Sequence, residues 1–405
     1  MKKIPKLRFR EFEKEWEEKN LKNIATFSKG KLISKEDISE TGIECIRYGE
    51  LYTTYNEVIS NVVSKTNLNI SNLVLSEKND IIIPCSGETA MDIAKASCVI
   101  KSGVALGGDL NILKLKENGI FLSYYLNNKA KYQIASLAQG ASVVHLYEDH
   151  LKKLKVKIPN LKEQKKIADF LSSVDVKINL TENKLELLKE YKKEIMQKIF
   201  NRELRFKDEN GNDYPNWEEK KLGDIVQSIS NGISINQNFD KIGYKVTRIE
   251  TISEAKINLK RIGYITTDKN IKEYKLNIGD LLFSNINSVE HIGKLAYVDK
   301  DYNLYHGMNL LRIVFKENLN SKYFYYLLTE RKYKKLFEKL CNKAVSQASI
   351  NQTELSKIKV YNPCLEEQQK IADFFSSIDN KIEKISDELE NLKEFKKGLL
   401  QQMFI

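Results

Sequence analysis

The chain has 405 residues, 41% of them apolar, and 66 Lys and Arg against 55 Asp and Glu give a formal charge of +11. This is enough to bury more than one core, while no apolar run approaches the roughly 18 residues that cross a bilayer, so no membrane role is expected. The opening MKKIPKLRFREFEKEW lacks the apolar centre of a secretory signal, and the five cysteines (Cys45, Cys85, Cys98, Cys341, Cys364) are scattered without a C-x-x-C, so reduced thiols in a cytoplasm are expected.

In chain order, RFREF and then WEEKNLKNIATFSKGK open a first lobe between Arg8 and Lys31. Short β-branched runs broken by Gly, Asn and Asp follow: ECIRYGELY, NDIIIPCSGE and ASCVIKSGVALGGDLNILKL. This spacing predicts an antiparallel or mixed sheet, curled or barrel-like. An aromatic helical patch, FLSYYLNNKAKYQIASLA, comes next; its three- and four-residue spacings place Tyr124, Leu126 and Tyr132 together as core. The loop QGASVVHLYEDHLKKLKVKIP closes the lobe.

The stretch from Pro159 to Phe200, PNLKEQKKIADFLSSVDVKINLTENKLELLKEYKKEIMQKIF, predicts one long helix of roughly 60 Å at 1.5 Å per residue. The same plan then repeats. LRFKDENGNDYPNWEEKKLGDIVQSISNG opens a second lobe, with Trp217-Glu218-Glu219-Lys220-Lys221-Leu222 matching Trp16-Glu17-Glu18-Lys19-Asn20-Leu21. Strand-like runs follow (YKVTRIETI, RIGYITT, IGDLLFSNIN, GKLAYVD, MNLLRIVFK), then the aromatic helix KYFYYLLTERKYKKLFEKL, in which Tyr325, Leu328 and Tyr333 fall together. From Pro363 to Phe404, PCLEEQQKIADFFSSIDNKIEKISDELENLKEFKKGLLQQMF copies the first long helix at an offset of 204, with about 23 of 42 positions identical. The expected domains are a lobe over 1–158, a central helix over 159–203, a second lobe over 204–362 and a C-terminal helix over 363–405.

Both long helices carry a heptad seam: Ile178, Leu185, Leu188 and Ile195 in the first; Ile382, Ile385, Leu389, Leu392 and Leu399 in the second. Thr181 and Lys192 interrupt one seam, and Lys396 the other. The fold class expected is α+β: two mixed lobes separated by two long helices that form an intramolecular antiparallel coiled coil. The other possibility is that each seam pairs with a second molecule, making a homodimeric coiled-coil DNA-binding scaffold with no enzyme partners.

The positive charge sits in the lobes, about +5 over 1–160 and about +7 over 201–360, against +2 and −3 for the helical copies. Basic lobes favour a polyanion such as nucleic acid. No phosphate loop, dinucleotide fingerprint or adenine-methyltransferase motif is present, and the four histidines are scattered. No constellation reads as catalytic, and no metal site is expected.

The paired segments Leu161-Lys162-Glu163-Gln164-Lys165-Lys166-Ile167-Ala168-Asp169-Phe170 and Leu365-Glu366-Glu367-Gln368-Gln369-Lys370-Ile371-Ala372-Asp373-Phe374 resemble the DNA-specificity subunit of type I restriction–modification enzymes. The lobe-opening W-x-x-x-x-L, the IRYGEL at Ile46 to Leu51 and the GDLL at Gly279 to Leu282 are also similar to that family, so the resemblance covers essentially the whole chain. It implies a non-catalytic subunit in which each lobe reads one half of a bipartite double-stranded DNA target. The paired helices would set the gap and dock two methyltransferase subunits, through which endonuclease–translocase subunits join. No cofactor is implied for this chain; S-adenosylmethionine, ATP and magnesium would belong to the partners. Two spaced readers suit half-sites about 34–36 Å apart on one face of a duplex.

DNA contacts should come from Lys, Arg and small polar side chains in loops. The candidates are Lys29, Lys31, Arg47, Tyr48, Thr89, Lys95 and Ser142 in the first lobe, and Arg248, Asn285, Asn287, His291, Lys294, Ser346 and Gln347 in the second. Arg47 and Arg248 lie in strand-like contexts and could serve as ion-pair partners instead.

Overall fold

Two units divide the chain: Met1–Asn183 with Asp387–Ile405, and Lys184–Ser386. The computed structural model describes residues 4–31, 33–140, 143–238, 240–288, 291–343 and 348–405.

The first unit contains β1 (Glu17–Asn20), β2 (Ala25–Lys29), β3 (Val58–Ile59), β4 (Asp80–Pro84), β5 (Ser97–Val99), β6 (Leu110–Leu115), α1 (Gly119–Asn128) and β7 (Lys155–Ile158), and leads into the long helix α2 (Leu161–Phe200). The central sheet runs β2-β6-β4-β5-β3, with only the β3–β5 pair parallel. A smaller sheet, built from Ala105–Leu106, Ile43–Ile46, Ser64–Thr66 and Ile38–Ser39, lies in the same unit. Ile82 and Ile112 of the central sheet share a core with Ile46, Leu51 and Leu106. The run Ile81-Ile82-Ile83 is apolar without alternation because β4 is buried along its whole length. β1 closes the lobe on β7, Glu17 opposite Ile158.

The second unit contains β8 (Glu218–Lys221), β9 (Val226–Asn231), β10 (Leu281–Phe283), β11 (Leu295–Tyr297), β12 (Leu311–Phe315), α3 (Ser321–Thr329), α4 (Arg331–Leu340) and β13 (Lys359–Asn362), followed by α5 (Leu365–Met403). Its four-stranded sheet runs β9-β12-β10-β11, antiparallel throughout, and β8 pairs with β13 as β1 does with β7. The GDLL segment has a physical explanation. Gly279 adopts φ +97, and the Asp280 carboxylate then accepts the Asn277 amide at 2.7 Å. In the first unit Asn79 (φ +85) and Asp80 do the same, with the Glu77 amide at 2.8 Å. A left-handed residue followed by an Asp turns the chain sharply into a buried strand.

Within each unit the segments of α2 and α5 run antiparallel. In the second, Phe200 at the end of α2 stacks on Phe375 near the start of α5 (5.9 Å), while Lys192, two turns earlier, reaches Asp379, one turn later, at 2.6 Å. In the first, Asp175 meets Lys396 at 2.8 Å, and Trp16 lies beside both the first turn of α2 and Phe404 just past α5. Ile178, Leu185, Ile385, Leu389 and Leu399 are buried, and Leu188, Ile195, Ile382 and Leu392 are half-buried. The helices therefore form an intramolecular antiparallel coiled coil. The seam that a homodimer would need is filled from the same chain.

Candidate nucleic-acid interface

The E-Q of the duplicated motif fixes each lobe to its helix. Glu163 is fully buried in the first turn of α2; its carboxylate accepts from Arg8 at 2.7 and 2.8 Å and from the Trp16 indole at 3.2 Å. Glu367 does the same for Arg205 (3.1 and 2.7 Å) and Trp217 (2.8 Å). Next in sequence, Gln164 and Gln368 donate to the carbonyls of Pro159 and Pro363 at 2.8 Å each, and accept the amides of Asn118 and Asn320 at 2.9 Å. Those asparagines cap α1 and α3. One dipeptide thus clasps the lobe entrance with its Glu and the lobe's aromatic helix with its Gln. The bidentate Arg–carboxylate geometry is the strong form of this contact. The duplicated Leu-Arg-Phe (Leu7-Arg8-Phe9, Leu204-Arg205-Phe206) is the signal for it, and the sequence reading matched the tryptophans without these arginines.

The lysines that interrupt the seams are a second duplicated device. Lys192 pairs with Asp379, which accepts the Tyr326 hydroxyl at 2.8 Å; Lys396 pairs with Asp175, which accepts the Tyr124 hydroxyl at 2.5 Å. Lys396 also reaches Glu57 at 3.1 Å. Burial first, and the neighbouring carboxylate with it, raises both phenol pKa values, so each tyrosine stays a donor. Burial alone would lower the Lys396 pKa, but Glu57 and Asp175 together raise it. Each lysine sits in one long helix, its aspartate in the other, and its tyrosine in the lobe. Tyr132 departs from the expected core cluster and is exposed, because the chain turns at Ala130 between α1 and Lys131–Ser136 and rotates it away from Tyr124.

Several of the described candidate contact residues lie near one another in each lobe. Lys29 ends β2 opposite Asn111, and the Lys31 amide bonds to Leu106 O at 3.1 Å; both side chains are exposed. Gly107 N bonds to Ile46 O at 2.8 Å, which brings Arg47 alongside. Arg47 pairs with buried Glu50 at 3.4 Å, its Nε having no partner among the described residues, whereas Tyr48 is exposed and meets Tyr52 edge-on. The Tyr52 hydroxyl donates to Ser86 O at 2.5 Å, three residues before Thr89, which caps a short turn by accepting the Asp92 amide. Lys95 stands apart from this set: it is half-buried, and desolvation lowers its pKa while Glu57 raises it. Ser142 lies outside the described residues.

In the second unit Arg248 pairs with Glu250 at 3.3 Å and its amide donates to Thr251. Lys294 donates to Ser253 O at 2.7 Å, beside that turn. Asn287 donates to Ser284 at 3.1 Å, and its strand pairs with Ala348–Ser349. Asn285 is buried, with no partner for its Oδ1 among the described residues, and His291 is exposed. Ser346 and Gln347 lie outside the described residues.

Close glycine crossings, not singled out from sequence, occur in both lobes. A Cβ on Gly30 would fall on the carbonyl oxygen of Gly107, and one on Gly232 on that of Gly307. Gly30 follows Leu21 by nine positions and Gly232 follows Leu222 by ten; a β-bulge between Val226 and Ser228 absorbs the extra residue. No cluster of three or more His, Cys, Asp or Glu able to hold a metal occurs among the described residues.

The family model for the type I restriction modification DNA specificity domain matches twice, over residues 13–190 and 214–394. A Methanocaldococcus jannaschii chain named for the specificity subunit of the type I restriction enzyme MjaX is 45% identical over 210 residues, 51% of this chain and 49% of that one. The MjaVIII specificity subunit of the same organism is 28% identical over 87% of this chain and 84% of its own. The crystal structure of a type I restriction–modification S subunit from M. genitalium shares the fold, with a TM-score of 0.67, 17% identity and 99% of each chain covered. Two specificity domains, each clasped by its own copy of the E-Q helix, place this chain in the type I restriction–modification DNA specificity family, to which it belongs.

Proposed function

We propose that this chain selects the DNA sequence on which a type I restriction–modification complex acts, without catalysing a reaction itself. The lobes over 1–158 and 204–362 each read one half of a split double-stranded target. The helices hold the two readers at a set spacing and dock two methyltransferase subunits, through which endonuclease–translocase subunits join. S-adenosylmethionine, ATP and magnesium then belong to those partners. The observation that carries this reading is the contrast between parts: the clasp residues repeat side chain for side chain, while the edges carrying Arg47, Tyr48 and Thr89 or Asn285, Asn287 and His291 do not. Identical attachments with unlike reading edges suit an asymmetric bipartite target. Partner docking is supported by apolar side chains that the coiled coil leaves exposed: Val176 and Leu180 on the first-unit part of α2, Leu187 and Tyr191 on the second-unit part.

The test is co-expression with type I methyltransferase subunits from the same organism, followed by mapping of methylated positions. A split motif with a degenerate centre is expected. A continuous motif, or a methyltransferase that binds this chain yet modifies DNA without it, would overturn the reading.

A further inference from the structure

Helix α4, RKYKKLFEKL, has two unlike faces. Tyr333 and Phe337 are buried; the Tyr333 hydroxyl donates to Lys359 O at 3.1 Å, and Phe337 meets Phe283 edge-on at 5.0 Å. The other face carries Arg331, Lys332, Lys334, Lys335 and Lys339, all exposed, with Glu338 the single acid in the helix. Nearby Lys357 and Lys359 are engaged with Glu354 and Glu219, but among the described residues Arg331, Lys334, Lys335 and Lys339 make no ion pair. The first unit has KYQIAS (Lys131–Ser136) after its aromatic helix, with one lysine. The fold therefore does not require a basic helix at this place.

The position is informative. Leu340 leads into Asn342–Lys343, which pairs with Ala348–Ser349, which in turn pairs with Ile286–Asn287. The basic helix is thus continuous with the edge that carries the second unit's candidate contacts. Arg331, Lys335 and Lys339 recur every four residues, about 6 Å apart at 1.5 Å rise per residue. A duplex presents a phosphate about every 3.4 Å of axis on each strand, so each step between cations spans about two phosphates. An uncompensated lysine face also fits phosphates better than a protein partner, because lysine is depleted in protein interfaces while Lys and Arg supply sequence-independent DNA affinity.

We propose that the exposed face of α4 tracks the phosphate backbone of the bound duplex beside the second half-site, adding sequence-independent affinity that the matching helix of the first unit, with its one lysine, does not supply. This rests on the DNA-recognition reading above. The test uses the full chain assembled with its methyltransferase, wild type against R331Q/K335Q/K339Q and the charge-retaining R331K/K335R/K339R. Affinity is measured for a duplex carrying the mapped target and for one of unrelated sequence, between 50 and 200 mM KCl.

The glutamine variant should lose at least about tenfold in affinity for both duplexes, leave their ratio unchanged, and show a salt slope shallower by about 2.7, from about 0.9 per phosphate contact. The charge-retaining variant should keep the wild-type slope. An unchanged slope while the wild type binds DNA would overturn this proposal alone, as would a loss confined to the target duplex, which would mean base reading. Failure of the glutamine variant to assemble would assign the face to an acidic protein surface and overturn it too. A wild-type complex that binds neither duplex would sink the DNA-recognition reading, and this proposal with it.

Discussion

Glu367 tests whether the duplicated clasp holds the second lobe to its helix. Its carboxylate is fully buried and accepts three hydrogen bonds, two from Arg205 and one from Trp217. Glu367→Ala would leave an indole N–H unpaired in the core, at about 1–3 kcal/mol, and a guanidinium without its counter-charge. Breaking a fully buried pair costs about 3–5 kcal/mol, but the Arg205 side chain is 22% exposed and can regain water, so the lower part of that range applies. A loss of about 3 kcal/mol is expected for the substitution as a whole. Glu367→Gln keeps the shape and one acceptor, and should lose about half as much. The chain has two tryptophans, one over each clasp, so in a Trp16→Phe background fluorescence during urea unfolding reports the second unit alone. Combining Arg205→Met with Glu367→Leu should cost less than the two single changes added together, since no charge is then stranded. An Ala variant within about 1 kcal/mol of its parent would refute the clasp as an energetic element.

Three further outcomes are expected. Asp379→Ala strands Lys192 and the Tyr326 hydroxyl and should cost about 1–3 kcal/mol, whereas Lys192→Met, which extends the apolar seam, should cost less than about 1 kcal/mol; equal shifts in thermal unfolding would refute the seam clasp. His306 is buried, its Nε2 lying 3.0 Å from Leu310 O, and desolvation pushes its pKa down to about 4. The unfolded chain therefore takes up the proton first, and stability complete above about pH 6.5 should fall by about 3 kcal/mol as the pH drops to 4. His306→Gln should flatten that part of the urea-denaturation profile, and parallel profiles for variant and parent would contradict it. Gly232→Ala sets a Cβ against the Gly307 carbonyl and should cost about 1–3 kcal/mol, while Gly49→Ala, with φ −63 and nothing within 4 Å of the added carbon, should cost less than about 1 kcal/mol by the same measurement.

The sequence by itself determined what is periodic or repeated: the two long helices, their seams, the matched tryptophans and the order of lobe and helix. A heptad writes its partner face into spacing, and a 204-residue offset needs no coordinates to be seen. Glu163, Gln164, Glu367 and Gln368 were visible as a motif, but their purpose was not, because their partners Arg8, Asn118, Arg205 and Asn320 lie some 46 to 162 residues away. Lys192 and Lys396 read as defects in an apolar stripe, because a stripe reports what one helix offers and not which carboxylate the other brings. The glycine crossings were equally silent, since a glycine's closest neighbour is a backbone carbonyl that any sequence could supply. Tertiary structure alone decided those pairings, because each depends on where two distant segments meet, and local propensity carries no record of that distance.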